Sequence, residues 1–236
     1  MQHPATPVLP QAVLWDMDGT LVDSEPLWIA SEIELMAQHG LAWTHEDALA
    51  MVGMALPNSA AILQDAGLPL ATREILDFLI GRVLDGLRRS VTWRPGALEL
   101  LGALHAAGVP QGLVTMSERP LADALVEGLE AELGSNPFDA IVTGDVVERG
   151  KPDPDPYLLG LALLGERHGE MDASRVVAIE DSKPGTASAL ASGVVTLGIP
   201  FMQSLPALEG LHQRESLAGV GPEELGALLA APAPTA

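Results

Sequence analysis

The chain has 236 residues and a formal net charge of −20, from 12 basic against 32 acidic side chains. A surface that acidic repels phosphate backbones and anionic headgroups, which argues against nucleic acid and membranes as partners. Zero cysteines exclude disulfides, iron–sulfur clusters and Cys-ligated zinc, and 47% hydrophobic content with 3% aromatics calls for a core of Leu, Ala, Val and Ile.

In chain order, Met1 to Gln11 carries neither a basic nor an apolar segment and does not read as a secretion signal. No stretch reaches the roughly 18 uninterrupted apolar residues of a membrane span, so a cytoplasmic protein is expected. Ala12–Trp15 is a short apolar run, read as a buried strand, that leads directly into Asp16-Met17-Asp18-Gly19-Thr20. From Ser24 to Trp93 the strand signals stop. Ile29, Ile33 and Met36 make an apolar helical stripe ending at Gly40, and Thr44 with Asp47 has the pattern of a capping box. Leu56–Ala66 and Arg73–Arg88 read as further helices. The expectation is a separate helical domain over residues 24–93, inserted into a core of residues 1–23 and 94–236. Its two connections, near Asp23–Glu25 and Thr92–Pro95, would lie side by side as a hinged lid requires.

Beyond that insertion Pro95 opens a helix that Gly108 stops. Buried strands follow at Gly112–Thr115, Ala140–Thr143, Val176–Ile179 and Val194–Ile199, with helices at Tyr157–Leu164 and Gly185–Ser192. Strands alternating with helices imply an open parallel α/β sheet covered on both faces. The tail from Ala230 to Ala236, rich in Ala and Pro, reads as disordered.

In such a sheet, ligands bind beyond the carboxyl ends of the strands. Asp16 and Asp18 follow the first strand, Thr115 ends the second with Ser117 close behind, Gly150-Lys151-Pro152 follows the third, and Glu180-Asp181-Ser182 follows the fourth. Any one of these alone is most simply a turn or cap residue. Together they place several carboxylates at one edge with a single lysine, an arrangement that needs a further cation. Every ligand on offer is an oxygen, so the cation expected is a hard divalent ion, Mg²⁺.

These residues resemble the four motifs of the haloacid dehalogenase-like hydrolases, in the branch with a helical cap after the first motif. Asp16 to Glu25 resembles the first motif, Thr115 the second, Lys151 within Gly150-Lys151-Pro152-Asp153-Pro154 the third, and Glu180-Asp181-Ser182 with Gly185 the fourth. The resemblance spans about residues 12–200. It implies an α/β fold with a Rossmann-like doubly wound parallel core and an inserted cap. It also implies Asp16 as nucleophile, Asp18 as acid and base, Thr115 donating its hydroxyl to the phosphoryl group, and Lys151 neutralising charge. Backbone N–H groups, that of Met116 among them, would help bind the phosphoryl group, and the cap loop at Gly53 would contact substrate. Asp16, Asp181, the backbone carbonyl of Asp18 and Glu180, directly or through water, would hold Mg²⁺.

Three departures bear on activity. Met116 stands where relatives carry a small or polar residue. Trp28 replaces a His that related β-phosphoglucomutases use, and Gly53-Met54-Ala55-Leu56 lacks the Arg that such mutases place three residues after the Gly, unless Arg73 or Arg82 serves instead. Trp28 and Leu56 favour a Mg²⁺-dependent phosphatase acting on a small phosphorylated metabolite, such as a sugar phosphate or a phosphoglycolate-like ester. A phosphosugar mutase is the alternative, with a non-catalytic binding protein or a metal-free dehalogenase behind it. The six His lack ligand spacing, and Arg119 and Lys183 read as helix-start ion-pair residues more than as substrate contacts. Caps of this kind do not require a partner subunit, so a monomer is expected.

Overall fold

The computed structural model describes residues 8–52, 54, 56–231 and 234. Strands β1 (Ala12–Trp15), β2 (Gln111–Val114), β3 (Ala140–Val142), β4 (Val176–Glu180), β5 (Val195–Gly198) and β6 (Leu211–Gln213) form one sheet in the order β3-β2-β1-β4-β5-β6. Every pairing is parallel. Successive side chains of a strand point to opposite faces. Val13 and Trp15 therefore enter one apolar cluster with Leu113, Val177, Ile179 and Leu197. Ala12 and Leu14 enter the other, with Val114, Val142, Val176 and Ala178. Trp15 buries its ring fully, and its indole Nε1 donates to Gln111 Oε1 at 2.9 Å, so the one polar atom it carries inward is satisfied.

Helices cover both faces. On the first lie α5 (Ala97–Ala106), α6 (Arg119–Leu133) and α9 (Pro222–Ala230), through Leu100, Leu121 and Leu225 among others. On the second lie α7 (Asp155–His168) and α8 (Lys183–Ala191), through Tyr157, Leu164 and Ala189. This is the doubly wound, Rossmann-like arrangement. It adds three elements that sequence reading missed. Strand β6 is Leu-His-Gln and has no apolar run to announce it. Helices α6 and α9 each have Pro in their first turn and Leu on their buried side, the sequence signals that mark them. The tail differs in part from expectation: Ala230 ends α9, and Pro234 O accepts a hydrogen bond from Gly210 N. Residues 1–7, 232, 233, 235 and 236 lie outside the described residues. No described helix is long and apolar enough to cross a membrane.

Between β1 and α5 the chain forms α1 (Glu25–Gln38), α2 (His45–Leu49), α3 (Leu56–Asp65) and α4 (Thr72–Arg89), and no strand among its described residues. The capping box at α2 is present: Thr44 Oγ1 accepts from Asp47 N, and Asp47 Oδ2 accepts from Thr44 N. Leu35, Met36, Leu63, Ile75 and Leu79 make a cluster of their own. Helix α4 has a second allegiance, because Ile80, Val83 and Leu87 belong to the main core cluster. The two connections run side by side: Asp23 N donates to Thr92 O at 2.8 Å, Arg94 N donates to Leu21 O at 2.8 Å, and Val22 bridges Trp93 in antiparallel sense.

Candidate active site

Strand order reverses at β1, which has β2 on one side and β4 on the other, and a crevice opens there beyond the strand ends. Register decides what stands in it. Trp15 pairs with Leu113 and with Ile179, so Asp16 emerges beside Glu180 and close to the end of β2. Asp16 N donates to Ile179 O at 3.0 Å, and Thr115 N to Val142 O at 2.9 Å.

Lys151 is the hub. Its side chain is only 4% exposed, and Nζ donates to Asp16 Oδ1 at 2.7 Å, Glu180 Oε1 at 2.6 Å and Val114 O at 2.8 Å. Burial works to lower its pKa, but the charges of Asp16 and Glu180 outweigh it and hold the ammonium above its ordinary range. Glu180 is fully buried, and its Oε1 also accepts from Tyr157 OH at 2.8 Å. That contact was not foreseen, since a Tyr in the first turn of a helix gives no sign of which group its hydroxyl will meet. Burial first, then the charge of Glu180, raises the Tyr157 pKa well above its ordinary value, so it remains a donor.

Asp18 is set apart from that network. Its Oδ1 accepts from Ser24 Oγ at 2.5 Å and its Oδ2 from Ser117 Oγ at 2.6 Å. Ser117 N in turn donates to Thr115 Oγ1 at 3.0 Å, which leaves the Thr115 hydroxyl hydrogen free to donate. Met116 lines the same cavity, and its Sδ accepts from Lys151 N at 3.3 Å, so the bulky side chain braces the third motif. Arg119 fits the ion-pair reading, with Nε donating to Asp123 Oδ1 at 2.7 Å, whereas Lys183 lines the cavity. None of the described His lines it.

Asp16, Glu180 and Asp181 each place one carboxylate oxygen within 4.8 Å of the others. The Asp18 carboxylate is not part of that group, being held by its two serines. Three carboxylates face one ammonium, and Asp16 Oδ2 is buried without a hydrogen-bond partner. Asp16 is pushed up to about 7 by burial and then by Glu180, and Asp181 to about 9 by burial and then by Asp16 and Glu180. An excess of buried negative charge on oxygen donors, with one orphaned oxygen, fits a hard metal ion. Two glycines allow this packing. Gly19 has φ +85°, and a Cβ there would lie 2.1 Å from Asp181 Oδ2. A Cβ on Gly185 would lie 1.9 Å from Glu180 Oε2.

These groups form the floor of a cavity of about 800 Å³. Its roof comes from the helical segment: Trp28 and Glu32 on α1, Met51 after α2, and Leu56 and Ser59 on α3 all line it. Gly53 lies outside the described residues. Arg73 and Arg82 do not line the cavity; Arg73 pairs with Asp77 at 2.6 Å, and Arg82 pairs with Glu34 and sits over the Phe78 ring.

Residues 13–199 match the model of the haloacid dehalogenase-like hydrolases. The chain is 33% identical to hexitol phosphatase A of Escherichia coli (strain K12) over 86% of this chain and 91% of that protein. It is 30% identical to a phosphorylated carbohydrates phosphatase of Thermotoga maritima, over 91% and 96%. Among solved structures it is similar to CbbY from Rhodobacter sphaeroides in complex with phosphate, with TM-score 0.76 and 26% identity over 90% of this chain and 97% of that one.

Proposed function

The chain belongs to the haloacid dehalogenase-like hydrolases, and from that premise we propose that it is a Mg²⁺-dependent phosphatase that hydrolyses a small phosphorylated metabolite through an aspartyl-phosphate. The observation that carries the reading is one cavity floor on which Asp16, with a partnerless oxygen, stands beside Asp18, Thr115 and Lys151. An Asp16 oxygen bonds to phosphorus as the ester P–O bond breaks, and Asp18 gives its proton to the departing alcohol oxygen. Water then attacks phosphorus, its proton passes to Asp18, and the bond to Asp16 breaks to release phosphate. The two serine contacts hold the Asp18 carboxyl in one orientation, and since a hydroxyl both donates and accepts they can persist in either protonation state. Thr115 donates to a phosphoryl oxygen, and Lys151 keeps Asp16 oriented and offsets its charge against the anionic target.

Asp16, Asp181, Glu180 and the backbone carbonyl of Asp18 would hold the Mg²⁺, which would supply positive charge to the phosphoryl oxygens. Residues 24–93 act as the cap, turning on the paired connections at Asp23 and Thr92. Trp28 and Leu56 on the cavity wall support hydrolysis over phosphate migration, since neither can grip a second phosphate. Both floor and roof come from this chain, which suits a monomer. Phosphorylated metabolites are charged and do not cross membranes unaided, which suits the cytoplasm.

The test is a panel of sugar, polyol and glycolate phosphates and nucleotides, assayed for free phosphate and for isomerised ester. Phosphate release is expected with Mg²⁺, lost on chelation and in Asp16→Asn. In Asp18→Asn turnover should fall by roughly 10²–10⁴-fold with phosphate binding retained. An isomerised ester without free phosphate, or no turnover of any ester with Mg²⁺, would overturn the reading.

A further inference from the structure

The chain has only two lysines, Lys151 and Lys183, and both line the cavity. They are its only cations among the described residues, and the rest of its charged lining is acidic. Lys151 has no hydrogen bond left to give. An ammonium carries three N–H donors, and here they go to Asp16 Oδ1, Glu180 Oε1 and Val114 O. Buried and fully engaged, Lys151 offsets the charge of the floor and offers no donor to an arriving anion.

Lys183 is exposed on the same cavity wall. The sequence pattern suggested a helix-start ion pair, as Arg119 makes with Asp123, but Lys183 enters no ion pair among the described residues. Nor does the helix account for it. Lys183 is the first residue of α8, directly after the cap Ser182, and no acid stands in that first turn. The start of a helix is its positive pole, where a carboxylate is stabilising and an ammonium is not. A residue that breaks a local rule without a compensating contact marks a functional position. The charge of the molecule supplies the need. With a formal net charge of −20 the protein repels any phosphate ester that approaches, and a cation on the cavity wall reverses that sign locally.

We infer that Lys183 is the entry cation of this cavity, drawing a phosphate dianion in against the acidic surface whatever group the phosphate is attached to. This rests on the phosphatase reading for the charge of the substrate and adds the residue that recruits it. The test uses titration calorimetry to measure inorganic phosphate binding with saturating Mg²⁺, and Mg²⁺ binding without phosphate. It compares the parent protein with Lys183→Gln, Lys183→Arg and Arg175→Gln. Arg175 is exposed and directly precedes β4, about 17 Å of strand from Glu180, and its loss changes the net charge equally. At about 10 mM NaCl, Lys183→Gln should weaken phosphate binding by about 3–10-fold, and at about 1 M NaCl the gap should shrink below about twofold. Mg²⁺ should bind Lys183→Gln as tightly as the parent or more so, because the charge removed repelled it. Lys183→Arg should restore phosphate binding, and Arg175→Gln should leave both constants within about twofold of the parent. Phosphate and Mg²⁺ both weakened in Lys183→Gln would show a merely structural role at the start of α8 and overturn the assignment. An unmoved phosphate constant, a loss that salt does not reduce, or an equal loss in Arg175→Gln would overturn it as well. Salt-sensitive loss of phosphate binding in a protein that hydrolyses no ester would instead sink the phosphatase reading and leave the entry cation standing.

Discussion

Burial, opposed by the Trp43 indole and aided by the charge of Glu25, pushes the Glu32 carboxyl up to about 7 from its ordinary 4.5. The folded value lies above the unfolded one, so the stability linked to this group is fully present below about 4.5 and is lost as pH rises through 7. Glu32→Gln should therefore match the parent protein near pH 4.5 and exceed it by roughly 2–3 kcal/mol at pH 8, read from urea denaturation without substrate. A gap that stays constant with pH would show that Glu32 ionises as freely in the fold as in water. At this scale the sequence named Asp16, Asp18, Thr115, Lys151, Glu180 and Asp181, because each stands at or just beyond a strand end or in a loop with a recognisable pattern. The contacts of Ser24, Ser117 and Tyr157 were not legible. Their partners lie 6, 99 and 23 residues away, and local pattern does not say where a hydroxyl will point.

Helix α8 starts hard against the end of β4. Ser182 caps it by accepting from Gly185 N at 3.1 Å, and Gly185 lies against the Glu180 carboxylate where no side chain fits. Gly185→Ala should drive Glu180 off Lys151 and Tyr157 and disturb Asp16 through the shared lysine. A displacement of about 1 Å at such a centre can cost on the order of 10²-fold in rate. The expected result is a fall of that order in kcat, measured with saturating Mg²⁺, beside a lowered melting temperature. Unchanged kcat would mean that Glu180 can move without consequence for Asp16. The helices of the 24–93 segment were legible from capping and periodicity, whereas the double allegiance of α4, half to its own cluster and half to the main core, was not. An amphipathic helix reports that it has buried faces, and it does not report what covers each one.

Across the whole molecule, a formal charge of −20 surrounds a site that must admit a phosphate anion. The field opposes approach, and mobile ions shorten its range to about 10 Å at 0.1 M salt. With Mg²⁺ saturating, kcat/KM should rise severalfold as NaCl goes from about 10 to 100 mM. A flat or falling profile would show that the metal and Lys151 already dominate the potential at the mouth. The sequence by itself determined the α/β class, the parallel strands, the helical insertion and the residues at the strand ends, because periodicity, caps and strand-end motifs are local properties. Only the tertiary structure decided that Lys151 joins Asp16 to Glu180, that two serines hold Asp18, and that α1 turns Glu25 and Glu32 into the same cavity. Those contacts depend on sheet register and on how helices pack across the crevice, and both are set by the burial of side chains far apart in the chain.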